Sequence, residues 1–256
     1  MGQISTRTDG AVATIEISDP DRHNAMSLAM WLALADAVAA IDRDASIRAC
    51  VLRGAGDRAF VSGANISEFE TERNSPSAVA RYNEAVERAQ TLLADCRVPV
   101  IAAISGVCFG GGLGLALCCD LRFAAPNARF RMPAARLGLG YGYESMRSFV
   151  EQLGPQQAAE AFFTARIYDA QAAVGLGIVR AVADDVFAHV DALAREIAAN
   201  APLTVQAGKK AMRAVLAGRG DSTEIRAAID ACFASQDYAE GRLAFAQKRP
   251  PQFIGR

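Results

Sequence analysis

Three stretches of this chain have residue types and spacings that could do chemistry. AFVSGAN (59–65) and FGGGLGLALCCD (109–120) each place small residues after an apolar, strand-like run. Loops of that kind can bring two backbone N–H groups together, and such a pair stabilises a carbonyl oxygen that is becoming an oxyanion. Each donor is worth roughly 3 kcal/mol to the transition state. Spacing alone does not separate this arrangement from two tight turns. The third stretch, GLGYGYES (138–145), offers Tyr141, Tyr143 and Glu144. A carboxylate in a mostly apolar pocket has a raised pKa that suits a general acid or base. The same glutamate ahead of a helix over 145–153 could instead serve the helix dipole.

The triple glycine invites two other readings, and both fail. A phosphate loop of the GxxxxGK[ST] kind needs a lysine and a hydroxyl, and neither follows here. The G-x-G of Gly112 and Gly114 lacks the third glycine of a dinucleotide fingerprint and does not open a βαβ unit. A membrane span is the second. Val98 to Cys119 carries no charge and is long enough to qualify. Pro99, Gly106 and three consecutive glycines break it, so it reads as a buried strand, a turn and a short apolar helix.

Composition narrows the classes further. With 27 Lys+Arg against 28 Asp+Glu, no bulk field attracts nucleic acid or an anionic membrane, and neither is expected as a partner. The most basic stretch, KKAMRAVLAGR (209–219), reads as a solvated helix face. Cysteines at 50, 96, 108, 118, 119 and 232 form no CxxC pair and have no His-x-x-x-His partner, so no metal is expected. Cys108 has no histidine near it in sequence, and His189 reads as the surface of a late helix, which disfavours a Cys–His nucleophile. Free thiols in apolar surroundings, with no apolar leader in MGQISTRTDG, predict a reduced, cytoplasmic protein.

The elements that must position these loops follow from hydrophobic period and caps. ISTRTDG and AVATIEIS predict a hairpin around Asp-Gly, and Ser27 caps an amphipathic helix over 28–43. Strands are predicted at 47–54, 98–104 and 120–125, with a helix over 77–95 and a short one from about Gly111. From Gly154 the pattern is helical over 155–164, 169–175, 185–199, 202–217, 222–235 and 237–247, with one strand-like piece at 178–182. Strands alternating with helices imply helix-covered parallel β-structure in the first two-thirds of the chain.

On these residues a family resemblance stands out. AFVSGANISEF (59–69), VPVIAAISGVCFGGGLGLALCCDLRFA (98–124) and MPAARLGLG (132–140) are similar to the crotonase, or enoyl-CoA hydratase/isomerase, superfamily. FTARIYDAQAAVGLGIVRAV (163–182) and AFAQKRPPQF (244–253) extend the resemblance over essentially the whole chain. It implies an α/β crotonase-like (ClpP/crotonase) fold of stacked ββα units, with a core over 1–195 and a C-terminal helical trimerisation region over 196–256. It implies an acyl-CoA thioester substrate, no cofactor beyond the coenzyme A that the substrate carries, and a homotrimer or dimer of trimers. The oxyanion donors would be the N–H groups of Ser62 and Gly111. Gly63, Ala64 and Asn65 would line the substrate, and Arg22, His23 and Ala25 would meet the nucleotide end. Phe245 and Lys248 would reach a CoA site in a trimer.

The chain departs from the family at two positions. Hydratases of the family carry a glutamate after the glycines, where Gly114 stands, and another after a later proline, where Ala134 follows Pro133. Neither side chain present can move a proton. Tyr141 and Glu144 then become the catalytic candidates, Tyr141 as a hydrogen-bond donor or a selector of the acyl group. Three readings result: a thioester enzyme of hydratase or isomerase type, a decarboxylase of a malonyl-type CoA, and a catalytically weak thioester-binding protein.

Overall fold

The computed structural model describes residues 2–65 and 75–256, with every side chain among them except that of Glu144. The chain opens with an antiparallel hairpin, β1 (Gln3–Asp9) and β2 (Val12–Ser18), turned by Gly10 at φ 56°. The helix α1 (Leu28–Arg43) follows, capped by the Ser27 hydroxyl, which accepts from the Met30 N–H. From β3 onward a unit recurs. A strand in one sheet passes by a tight turn to a three-residue strand in a second sheet, and a helix then leads on. Thus β3 (Ala49–Gly54) leads to β4 (Ala59–Val61) and then to α2 (Pro76–Asp95). Next, β5 (Val100–Ile104) leads to β6 (Val107–Phe109) and α3 (Gly111–Leu117). Finally, β7 (Leu121–Ala124) leads to β8 (Arg129–Arg131) and α4 (Ala134–Leu137).

Two sheets result. The larger has the order β1-β2-β3-β5-β7 and then the two-residue strand Ala181–Val182 (β10), and every pair after the first hairpin is parallel. The smaller has the order β4-β6-β8-β9, parallel except where β9 (Tyr168–Asp169) runs against β8. Helices α5 (Tyr143–Leu153), α6 (Pro155–Thr164), α7 (Ala170–Gly175) and α8 (Val186–Ala199), with β10 (Ala181–Val182), complete this part. The repeated ββα plan is the stacked arrangement expected from the sequence.

The central strands of the larger sheet are buried on both faces. Cys50, Leu52, Val100, Ala102 and Ile104 pack into the main core with Trp31, Phe60 and Phe130. Their neighbours Val51, Ile101 and Ala103 point the other way, against Val186, Val190 and Ala194 of α8. A strand covered on both sides has no polar face to show, which is why VPVIAAI reads as unbroken grease. The uncharged run from Val98 is therefore two strands and a short helix. Among the described residues no helix is long and apolar enough to cross a membrane.

Beyond Ala199 the chain forms α9 (Pro202–Leu216), α10 (Thr223–Ala234) and α11 (Gln236–Gln247). The break expected at residue 195 falls inside α8, which runs on to Ala199. The reading of 209–219 as a solvated face also needs correction. Lys209 is only 5% exposed and donates to the Val98 carbonyl at 2.9 Å and to Asp120 at 2.7 Å. Arg213 reaches the other oxygen of Asp120 at 3.2 Å. A basic residue one turn from another shares its face, and here that face turns inward onto a carboxylate at the start of β7. Lys210 alone of that trio points outward, pairing with Glu224.

Candidate active site

The site is built at the carboxyl ends of two neighbouring parallel strands, the usual place for a ligand in open α/β structure. Val61 of β4 pairs with Cys108 of β6, so the loops that leave them, 62–65 and 109–111, run side by side. A Cβ on Gly63 would lie 3.4 Å from the Phe109 carbonyl oxygen. Gly112 is demanded by close approach, because a Cβ there would collide with the Val61 carbonyl oxygen. Gly110, at φ 53° and ψ −116°, takes a backbone shape that only glycine adopts readily and turns the chain into α3. The short pieces β4, β6, β8, β9 and α4, which carry no local sequence signal, bring the two loops together.

The loop before α1 is laced to the same place. Asn24, itself buried, accepts from the Asp19 N–H at 2.9 Å and donates to the carbonyls of Ala55 at 3.1 Å and Ala59 at 2.7 Å. The Met26 N–H donates to the Gly63 carbonyl at 2.8 Å, and the Asn65 N–H to the Met26 carbonyl at 2.9 Å. Below this lace, the Trp31 indole donates to the Tyr82 hydroxyl at 2.9 Å, which in turn reaches the Met26 carbonyl at 3.3 Å. The indole ring lies 3.5 Å from where a Gly111 side chain would begin. Trp31 is thus the floor of the site.

The lacing corrects one expectation. Ser62 is fully engaged: its N–H donates to the His23 carbonyl at 3.1 Å and its hydroxyl to the Arg22 carbonyl at 3.1 Å. A donor already tied to a protein carbonyl is not free to receive an oxyanion. Two residues on, Ala64 is half-buried, and its N–H has no acceptor among the described residues. Gly111, as the first residue of α3, has no carbonyl one turn back to donate to, and its N–H is likewise unmatched among them. Each loop thus offers an unmatched amide among the described residues, Ala64 on one and Gly111 on the other.

The open face of α3 is narrow. Gly112, Leu113, Leu115, Ala116 and Leu117 are buried, while Gly111 and Gly114 are partly exposed and stand one turn apart. Ala134 sits differently. It opens α4 just after Pro133, whose ring lies 3.7 Å from a Cβ built on Gly110, and it is only 1% exposed. Tyr141 is half-buried and packs edge-on against Phe162, with ring centres 5.5 Å apart. Glu144 is the second residue of α5; its side chain lies outside the described residues, as do residues 66–69 of the motif that began at Ala59.

The expected CoA contacts divide. Arg22 and His23 are exposed on a left-handed turn, His23 at φ 51° and Asn24 at φ 56°. Arg58, which sequence analysis did not single out, brings its guanidinium to 2.8 Å from His23 Nε2 and adds a second arginine to this rim. Its only signal in sequence was a charge in the turn before AFVSGAN. Ala25 is nearly covered, at 6% exposure, so its side chain offers little to a ligand. Phe245 and Lys248 are not gathered here. Phe245 is 88% exposed on α11, and Lys248 ends that helix in a left-handed turn. Phe245 instead lines an apolar groove of about 740 Å³ with Ile229, Phe233, Tyr238 and Phe253.

Five of the six cysteines are buried. Burial pushes the Cys118 thiol up to about 12 and those of Cys50, Cys108 and Cys119 high as well, so none of these is a thiolate nucleophile.

A family model described as enoyl-CoA hydratase/isomerase matches residues 7–256. The chain is 33% identical to a crotonyl-CoA hydratase of Syntrophomonas wolfei, covering 96% of this chain and 95% of that protein. It is 30% identical to a 2,3-dehydroadipyl-CoA hydratase of Escherichia coli over the full length of both. Among solved structures, an enoyl-CoA hydratase/carnithine racemase from Magnetospirillum magneticum superposes with a TM-score of 0.94 at 38% identity, covering 100% of this chain and 97% of the other.

Proposed function

Because this chain belongs to the enoyl-CoA hydratase/isomerase family, we propose that it binds an acyl-CoA thioester and stabilises its enolate with the N–H groups of Ala64 and Gly111. The observation that carries this reading is the pair of unmatched amides on adjacent strand-end loops. When electrons flow from the α-carbon into the thioester carbonyl, its oxygen gains charge. Preset donors lower the barrier because they need no reorganisation at that moment. Arg22, His23 and Arg58 form an exposed basic rim suited to the phosphates of coenzyme A. The free cysteines support a reducing compartment such as the cytoplasm.

The reaction differs from two-carboxylate hydration. Residue 114 is glycine and residue 134 is a buried alanine, so neither can hold and deprotonate a water. Glu144 is a carboxylate three positions after Tyr141 in the sequence, and we assign it proton transfer, with Tyr141 shaping the acyl pocket. The same two vacancies favour a second reading, decarboxylation of a malonyl-type CoA. There the bond from Cα to the carboxylate breaks and its electron pair enters the thioester as an enolate. CO₂ leaves and a proton is then added at Cα. No base is needed.

Phe245 and Lys248 enter through assembly. The apolar residues exposed on α9, α10 and α11 include Val215 at 76% and Phe245 at 88%. Patches of that kind mark contact surfaces, and we read these helices as the trimer-forming region that carries Phe245 and Lys248 to a neighbour's CoA site.

The test is turnover of crotonyl-CoA beside methylmalonyl-CoA. Loss of acid–base groups predicts crotonyl-CoA hydration at least about 10²-fold below that of a two-carboxylate relative. Hydration at an ordinary rate contradicts the reading. Release of CO₂ from methylmalonyl-CoA selects the second one, and tight binding with no turnover of either ester identifies a thioester-binding protein.

A further inference from the structure

The vacancy at Gly114 is occupied. Gln90 of α2 places its amide nitrogen 3.0 Å from the point where a side chain on Gly114 would begin. Gln90 is half-buried, and its amide has no hydrogen-bond partner among the described residues. Gly114 is also one of two partly exposed residues of α3, the other being Gly111. A glutamine side chain loses considerable rotamer freedom when it is fixed, and an unmatched amide beside an apolar helix repays none of that loss.

We infer that Gln90 is a specificity-determining residue, whose amide receives an oxygen carried on the β-carbon of the acyl group. This rests on the thioester reading above. Three residues of helix advance about 4.5 Å, so Gly114 stands that far along α3 from the Gly111 N–H. A thioester whose carbonyl oxygen meets Gly111 therefore extends its β-carbon alongside Gly114, under the Gln90 amide. An amide is both donor and acceptor and does not titrate. It holds a hydroxyl or carbonyl at that carbon without taking its proton. The chemical class is a 3-hydroxyacyl- or 3-oxoacyl-CoA, in preference to the unsubstituted ester.

Calorimetric titration of 3-hydroxybutyryl-CoA and butyryl-CoA, which differ by one hydroxyl, tests this on the full-length protein. Wild type is expected to bind the hydroxy ester about tenfold more tightly, the size of one matched hydrogen bond. Gln90→Leu should abolish that preference while leaving butyryl-CoA within about twofold, a split that general loosening of the helix would not give. Gln90→Glu keeps the shape and an acceptor, and should restore the preference for the hydroxy ester. Equal affinity of wild type for the two esters overturns the inference, as does equal weakening of both by Gln90→Leu. If wild type binds neither ester, the thioester reading itself falls.

Discussion

The sheet core and the C-terminal helices keep opposite accounts of their apolar and polar groups. In the core, Trp31, Phe60, Phe130 and Leu52 are fully enclosed, while the backbone amides of Ala64 and Gly111 at the two strand ends are unmatched among the described residues. In α9 to α11 the enclosed groups include charged ones, Lys209 and Asp237, while Val215, Phe233 and Phe245 face outward. The joints between the two regions are polar as well. Asp120 receives Lys209 and Arg213, and Arg48 donates to the carbonyl of Phe253 at 2.9 Å. The difference teaches what each region leaves open: the core leaves backbone amides at its strand ends, and the helices leave apolar side chains, with directional bonds joining the two.

The joint at Asp120 is the place to break that contrast most severely. Asp120→Ala leaves the Lys209 ammonium buried beside a lone carbonyl, and removing one partner of a buried pair costs about 3–5 kcal/mol. Urea unfolding followed by circular dichroism should register it. A loss below about 1 kcal/mol would mean the two regions are held together by something else.

Next in size is the donor at the head of α3. Proline is well tolerated at a first helical position and lacks an N–H, and a Cβ on Gly111 meets only the Trp31 ring at 3.5 Å. Gly111→Pro is expected to lower turnover by about 10²–10³ with little change in the unfolding midpoint. Equal turnover by this variant would take the chemistry away from these loops.

A charge on the outer face separates the regions in the other direction. Phe245→Asp should lower the mass measured by sedimentation while helix content and the unfolding of the core persist. Unchanged mass would sever Phe245 from assembly. The smallest expected effect is on thiol chemistry. With Cys118 held near 12 and Cys50, Cys96, Cys108 and Cys119 buried and raised, iodoacetamide at pH 8 should modify at most Cys232, the one thiol not buried.

Much of the fold was legible because its larger elements carry strong local signals. Ser27 before an amphipathic run located α1, and the doubly buried β5 announced itself as an uninterrupted apolar segment. The second sheet did not, since AFV, VCF and RFR are three-residue strands whose identity comes from their neighbours. The site divides in the same way. Gly114 and Ala134 could be read directly, because an absent carboxylate is a matter of residue type. Whether an amide is free is a matter of partners. Ser62 is taken by the Arg22–His23 turn, roughly forty positions earlier, and no local pattern records that lacing. Gln90 was hidden for the same reason, as one polar residue within a long helix. Lys209 and Arg213 misled because a basic stretch looks solvated until the carboxylate opposite it is seen.

The central claim is that the amides of Ala64 and Gly111 hold the thioester oxygen. A crystal structure with a bound acyl-CoA analogue tests it most directly. The account predicts the thioester oxygen at about 2.7–3.1 Å from both nitrogens, with the Ser62 N–H still donated to His23. A thioester oxygen held elsewhere, or a Ser62 N–H released from His23 to bind it, would contradict the account.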